Sequence, residues 1–265
     1  MTREILLTND DSYSAKGLIV IAQFLRRWGN VLSVSPKYPQ SARSMALTMD
    51  EPLYITRYSY QEKEEGLGSL SSFYMNGTPA DCAKMMANMC VERAIKPDLF
   101  VSGINHGSNA SAASLYSGTL GASKEGSLYG IPSIGLSLDS HDDDADFSAV
   151  LHFLPSILEQ MFEIPPVHQT YLNVNFPDLP TDRIKGIRFA HQGNGRWEKE
   201  FQRSRDGHGR DFYWMVGQFV DYELKTTASE ADHILLEEGY ITIVPHKLDT
   251  TNYNEKERLS RLWKL

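Results

Sequence analysis

The chain has 265 residues, 41% of them hydrophobic and 23% charged, and a net charge of −8. These values suit an ordinary globular protein with a sizeable core, built as one large α/β domain or as a domain with an appended arm. They speak against general nucleic-acid binding, and with no apolar run near the roughly eighteen residues of a membrane span and no signal-peptide pattern, the expectation is a cytoplasmic protein without nucleic-acid or membrane partners.

The first predicted element is the strand Ile5-Leu6-Leu7-Thr8, an apolar run ending in Asn9-Asp10-Asp11-Ser12. It reads as a buried parallel strand delivering its last residues to the carboxyl edge of a sheet, where open α/β sheets bind ligands. Adjacent carboxylates repel one another, and a cation between them relieves that repulsion; hard oxygen donors suit Mg²⁺, Mn²⁺ or Ca²⁺. A turn with an N-cap for the next helix accounts for the same residues equally well.

Leu18, Ile21, Ala22 and Leu25 fall at i, i+3, i+4, i+7 spacing, which predicts a helix from about Gly17 to Arg27 covering the first strand. Gly29-Asn30 ends it, and residues Val31 to Ser35 supply a second strand closed by Pro36. The exit loop from Lys37 to Ser44 returns to the carboxyl edge, where Ser41 and Ser44 can meet Asp10 and Asp11, although a serine-rich loop is commonly a plain turn. Met49 to Tyr74 reads as strand and hairpin material outside the sheet, broken by a charged loop from Gln61 to Gly68, with no chemistry assigned.

A strong helix start follows, with Thr78 as N-cap, Pro79 at N1 and Asp81 at N3. Cys82, Met85, Met86 and Met89 then form a core stripe. Cys82 and Cys90 lie eight residues apart in that helix, about 12 Å at 1.5 Å per residue, too far for a disulfide. The amides around Asn76, Gly77 and Thr78 are candidates for phosphate, because a helix N-terminus beside a glycine permits close approach of an anion.

Pro97 to Ser102 is another strand, running into Gly103-Ile104-Asn105-His106-Gly107-Ser108-Asn109. Glycines flanking an asparagine at a strand exit allow turns that aim amides and a side-chain oxygen at a ligand, and that oxygen suits a hard metal. His106 reads as a loop donor. Ser114 to Thr119 precede a helix to about Tyr129, and Gly130 to Ser137 lead into a further strand. Asp139 to Asp146 hold five aspartates and His141, read as a solvated loop before the helix of Phe147, Val150, Leu151, Leu154 and Met161. Strands near Tyr171 to Phe176 and Ile187 to Ala190 come next. Residues Gln192 to Arg210 are too polar and glycine-rich to pack a core. Phe212-Tyr213-Trp214 suits either an interface strand or a sheet core. Ser229 to Glu238 reads as a short helix, Tyr240 to Val244 as a strand, and the chain from Asn254 as a charged helix docking on the body or on a partner.

Taken together these blocks resemble the SurE family of survival-protein nucleotidases. The resemblance is carried by Leu6 to Asp11, Ser41 to Ser44, Asn76 to Cys82, Pro97 to Asn109, Tyr116-Ser117-Gly118-Thr119 through Glu125-Gly126 to Ser133, Leu172 to Pro177, and Glu238 to Pro245. It spans nearly the whole chain, and the order and number of the blocks are more specific than any one of them. The resemblance implies metal-dependent hydrolysis of nucleoside monophosphates, that is 5′-nucleotidase activity, and leaves 3′-nucleotidase and exopolyphosphatase action open. It implies one divalent cation per subunit, Mg²⁺ or Mn²⁺ with Ca²⁺ able to occupy the site, held by Asp10, Asp11, Ser41 and Asn105. Departures from the family pattern are Ser12 and Ala42 at usual glycines, Lys16 at a usual proline and Lys37 at a common aspartate; they bear on loop shape.

The expected architecture is an α/β fold with a doubly wound, mostly parallel Rossmann-like sheet and a β-rich C-terminal extension. Residues 1–185 would form the catalytic core and residues 186–265 an oligomerisation arm with elements packing back on the core. In the expected site, Asp10, Asp11 and Asn9 serve catalysis. Ser44, Asn76, Gly77, Thr78, Gly103, Gly107, Asn109, Ser117, Gly118 and Thr119 surround the phosphate. The partner is a second copy of the chain, as homodimer or homotetramer with exchanged arms. Two rivals use the same residues: a phosphatase with Asp10 as covalent nucleophile, and a nucleotide-sensing scaffold without turnover.

Overall fold

The computed structural model describes residues 2–60, 67–223 and 230–264. Its centre is β1 (Arg3–Thr8), whose side chains are buried alternately on both faces: Ile5 and Leu7 on one, Leu6 on the other. A strand apolar on both sides must sit inside a three-layer sandwich. Two hydrophobic clusters accordingly lie on opposite faces of one sheet.

From β1 the chain crosses through α1 (Lys16–Leu25) to β2 (Gly29–Pro36), then through β3 (Ile55–Tyr58) to β4 (Leu70–Met75). Helix α2 (Pro79–Glu92) leads to β5 (Leu99–His106), and α3 (Ala113–Tyr116) with α4 (Gly118–Leu128) to β6 (Ser133–Leu138). Helix α5 (Ser148–Glu163) and β7 (Thr170–Phe176) complete the core. After a short 3-10 turn come β8 (Ile187–Phe189), β9 (Gly195–Glu198), β10 (Phe201–Arg205), β11 (Asp211–Met215) and β12 (Gln218–Asp221). The chain ends with α6 (Asp232–Glu237), β13 (Ile241–Lys247) and α7 (Tyr253–Leu262).

The main sheet runs β3-β4-β2-β1-β5-β6-β7-β13-β8. Strands β4 to β7 in that order are parallel; β3 is antiparallel to β4, and β13 antiparallel to β7. The chain leaves β1 toward β2 on one side and reaches β5 on the other, so the topological switch lies between β1 and β5. Their carboxyl ends carry Asp10-Asp11 and Asn105. Helices α1 and α5 cover one face through Leu18, Ile21, Val150 and Leu154, and α2 covers the other through Cys82, Met86 and Met89. Both cysteines are free and buried.

Most expected elements are present, with one correction. The segment from Met49 to Tyr74 is not an excursion from the sheet, since β4 pairs in parallel with β2 from Leu70 to Met75 and β3 forms the sheet edge. Its apolar content is modest because β4 lies next to that edge. Residues 61–66 of the charged loop, and Ser229 at the start of the expected last short helix, lie outside the described residues. Among those described, no helix is long and apolar enough to cross a membrane.

The C-terminal part divides in two. Strands β8 and β13 join the main sheet, whereas β9 pairs with β12 and β10 with β11 in separate antiparallel ribbons. Phe212, Tyr213 and Trp214 on β11 are exposed rather than placed in a sheet core, and Trp214 is 61% accessible. Helix α7 buries no residue, leaving Leu262 and Trp263 in the open.

Candidate functional site

The carboxyl edge of β1 places Asn9 and Asp10 in the interior and Asp11 at its margin. Burial raises the Asp10 carboxyl, the neighbouring Asp11 charge raises it further, and hydrogen bonding only partly opposes this, leaving it at about 7. Burial also raises Asp11. Thr119 Oγ1 donates to Asp10 Oδ1 at 2.5 Å, and the His106 amide donates to Asp11 Oδ2 at 3.2 Å. The two carboxylates are thus gripped from opposite sides, one from the start of α4 and one from the end of β5.

Asn105 reaches this point through an irregularity in β5. The β5–β6 register shifts between Ser102 and Asn105, a bulge of the kind that re-aims a side chain at a sheet edge. Gly103 is required there: its φ is +132°, and a Cβ would come 2.3 Å from the Leu136 carbonyl oxygen. Asn105 Nδ2 donates to the carbonyls of His106 and Gly107 at 3.1 and 2.7 Å, which leaves Oδ1 as the donor atom for a cation.

The loop after β2 is tied to the same place by the Gln40 amide, which donates to Asp10 O at 2.7 Å next to the exposed Ser41. Ser44 is half-buried, and its amide bonds to Tyr116 O. Ser12, Ala42 and Ser44 have φ of 97°, 60° and 50°. Left-handed backbone outside glycine costs about 1 kcal/mol or more per residue, and such outliers gather where a site over-determines the chain. Ser117 caps α4, Gly118 packs so close that a Cβ would lie 2.9 Å from Asp10 Oδ2, and Thr119 makes the bond described above.

The remaining expected residues also hold the surrounding loops. Asn76 accepts from the Tyr54 amide and donates to Pro52 O, and Gly77 packs on Asp81. Thr78 and Asp81 form a complete capping box, and Asp81 also accepts from Thr48. This trio clamps the chain between residues 46 and 54 at the end of β4, about 10 Å or two strand spacings from β1. Asn109 donates to Ser137 Oγ and is bracketed by Asn175 Oδ1 and Asn173 Nδ2, so it holds the β5 exit loop. Gly107, with φ +90°, turns that loop under His141. The part played by Asn173 and Asn175 was missed from the residues alone; two asparagines spaced by two in an apolar strand are the available signal.

This donor set fits a hard divalent cation. Asn9 Oδ1 is buried without a partner, a state that a cation or a donor relieves. Burial raises both carboxyls by more than the hydrogen bonds from Thr119 and His106 lower them, and a cation would favour their charged forms. Among the described residues no cluster of three or more His, Cys, Asp or Glu could hold a metal, so such a site depends on neutral oxygens like those of Ser41 and Asn105. The aspartates between Asp139 and Asp146 stay exposed, as expected.

Residues 5–199 match the family described as Survival protein SurE. The chain is 40% identical over 261 residues to 5′-nucleotidase SurE of Phocaeicola vulgatus, covering 98% of this chain and 96% of the relative. It is 39% identical over 263 residues to 5′-nucleotidase SurE of Bacteroides fragilis, covering 98% and 97%. The crystal structure of the SurE protein from Aquifex aeolicus is similar with a TM-score of 0.80 at 30% identity, covering 98% of this chain and 99% of that one.

The raised carboxyls fix the sign of a pH effect. Between about 4 and 7 the folded metal-free chain retains protons that the unfolded chain has lost, so stability drops as pH rises through this window. A cation must displace those protons. Its apparent affinity therefore rises with pH, by up to about tenfold per unit, and levels off above about 7. Isothermal titration with Mn²⁺ across this range checks it; an affinity independent of pH would contradict it.

Proposed function

The chain belongs to the Survival protein SurE family, and from that premise we propose a metal-dependent 5′-nucleotidase that hydrolyses nucleoside monophosphates to nucleoside and phosphate. The observation that carries this reading is the Asp10–Asp11 pair at the switch point of the sheet, with Asp10 buried and Asp11 at its margin. Asp10, Asp11, Ser41 and Asn105 would hold Mg²⁺ or Mn²⁺. When bound, that ion neutralises phosphate oxygens and polarises the attacking water.

The chain's own groups do the rest. Thr119 fixes the Asp10 carboxylate, and the His106 amide fixes that of Asp11. Ser44, Gly103, Gly107 and the start of α4 at Ser117, Gly118 and Thr119 border the phosphate, and the helix dipole there favours its negative charge. Asn9 donates to Ser12 O at 2.9 Å and so shapes the carboxylate turn. One of the two aspartates accepts the proton released by water. Asn76, Gly77, Thr78 and Asn109 act by holding the loops around this chemistry.

Phosphate release from nucleoside 5′-monophosphates with Mn²⁺ or Mg²⁺ tests the reading. Asp10→Asn and Asp11→Asn should each lower the rate by about a hundredfold or more while circular dichroism stays unchanged. Near wild-type rates in both variants would contradict it. A phosphorylated Asp10 trapped during turnover would instead make that residue the nucleophile.

The same reading includes a homodimer or homotetramer with exchanged arms. It is supported by the exposed aromatic ribbons and by Tyr253 and Leu262 of α7, which stand exposed with the following Trp263. Arg196 and Val220 face each other at the base of the arm, so residues 196–220 can be replaced by a short glycine linker. Light scattering should then report a smaller species that still binds Mn²⁺. A variant retaining the parent mass would identify the arm as a local flap.

A further inference from the structure

On the β2 and β4 side of the carboxylates, the carboxyl edge carries a set of aromatic rings with no part in the chemistry above. Tyr13, two residues beyond Asp11, stacks on Tyr74 with centroids 4.6 Å apart and meets Tyr58 edge-on at 5.1 Å. Its backbone is held at both ends: the amide donates to Pro36 O at 2.9 Å, and Tyr60 Oη donates to its carbonyl at 2.7 Å. Lys37 follows β2, with its amide on Met75 O at 2.7 Å and its ammonium 5.1 Å from the centre of the Tyr38 ring. Tyr38, Tyr74 and Tyr13 all lie near that ammonium. Tyr38 itself is 62% exposed.

Near this fixed pair of rings, the exit of β2 carries one open ring. Tyr13 and Tyr74 are half-buried and stacked, and Tyr38 keeps most of its ring in solvent with Lys37 as its charged neighbour. The ring stands three residues before Ser41, in the loop whose Gln40 amide touches Asp10 O. The exits of β2 and β4 lie one and two strand spacings from β1, about 5 and 10 Å, a separation suited to the sugar between a phosphate and its base.

We infer that Tyr38, beside Lys37 and the Tyr13–Tyr74 stack, is the nucleobase subsite, gripping the base of a nucleoside monophosphate through ring stacking. The inference rests on the nucleotidase reading and extends it to a specificity-determining residue. A π-face receives any of the bases, so the subsite distinguishes nucleotides from baseless phosphate esters rather than one base from another.

The test compares kcat/KM for adenosine 5′-monophosphate with that for ribose 5-phosphate, which has the same phosphate and sugar without a base. In Tyr38→Ala the preference for the nucleotide should drop about tenfold, while Tyr38→Phe, which keeps the ring, should retain it. An unchanged preference in Tyr38→Ala, or an equal loss in Tyr38→Phe, overturns the subsite. If the wild-type protein hydrolyses neither ester, the nucleotidase reading fails separately, and the subsite is read from adenosine alone. Saturation-transfer NMR should then show contact to the base protons in wild type and Tyr38→Phe but not in Tyr38→Ala; contact persisting in Tyr38→Ala overturns it.

Discussion

Two adjacent carboxylates withdrawn from water are the constraint to which the surrounding structure answers. Burial raises both carboxyls, and hydrogen bonds from Thr119 and the His106 amide only partly oppose that shift. The protein holds this arrangement because β1 cannot move: it is central in the sheet, paired on both sides and packed on both faces. Its rigidity is passed to the neighbouring loops through close contacts, including the bulge at Gly103, the approach of Gly118 to Asp10 and the strained turns at Ser12 and Ala42. A divalent cation would complete that arrangement, and its donors would come from three separate strand exits.

Features set by local chemistry were legible in the residues. The strand ending in paired aspartates, the helical stripe of α1 and the capping box of α2 depend on neighbours a few positions away, and each stands where its pattern placed it. Features set by distant partners were harder to read. Strand β4 looked detached because its pairing with β2 is bridged by a long polar connection. Asn76 and Asn109 have the right chemistry for phosphate, yet their side chains are engaged by Pro52, Tyr54 and Ser137, contacts invisible before the chain is folded. The resemblance to the SurE family added the joint assignment of Ser41 and Asn105 to one ion, which no spacing along the chain implies.

The base of the arm is joined to the active-site region by a buried polar knot. Asp232 accepts from the amides of Ser111, Gly193 and His233, while Ser111 Oγ donates to the carbonyls of Gly193 and Gly195 and accepts from the Gly195 amide. Buried and satisfied, such a network fixes one geometry. The arm therefore leaves the body at Gly195 in a set direction, anchored on Ser111 two residues beyond Asn109, so that the β5 exit loop and the root of the exposed ribbons share one anchor.

The central claim is that Asp10, Asp11, Ser41 and Asn105 converge on one divalent ion at the β1–β5 switch. Anomalous diffraction from crystals grown with Mn²⁺ addresses it most directly. The account predicts one strong peak per chain, bonded to the oxygens of these four residues. A peak elsewhere, such as among the aspartates of the Asp139 to Asp146 loop, or no peak beside Asp10 and Asp11, would contradict it.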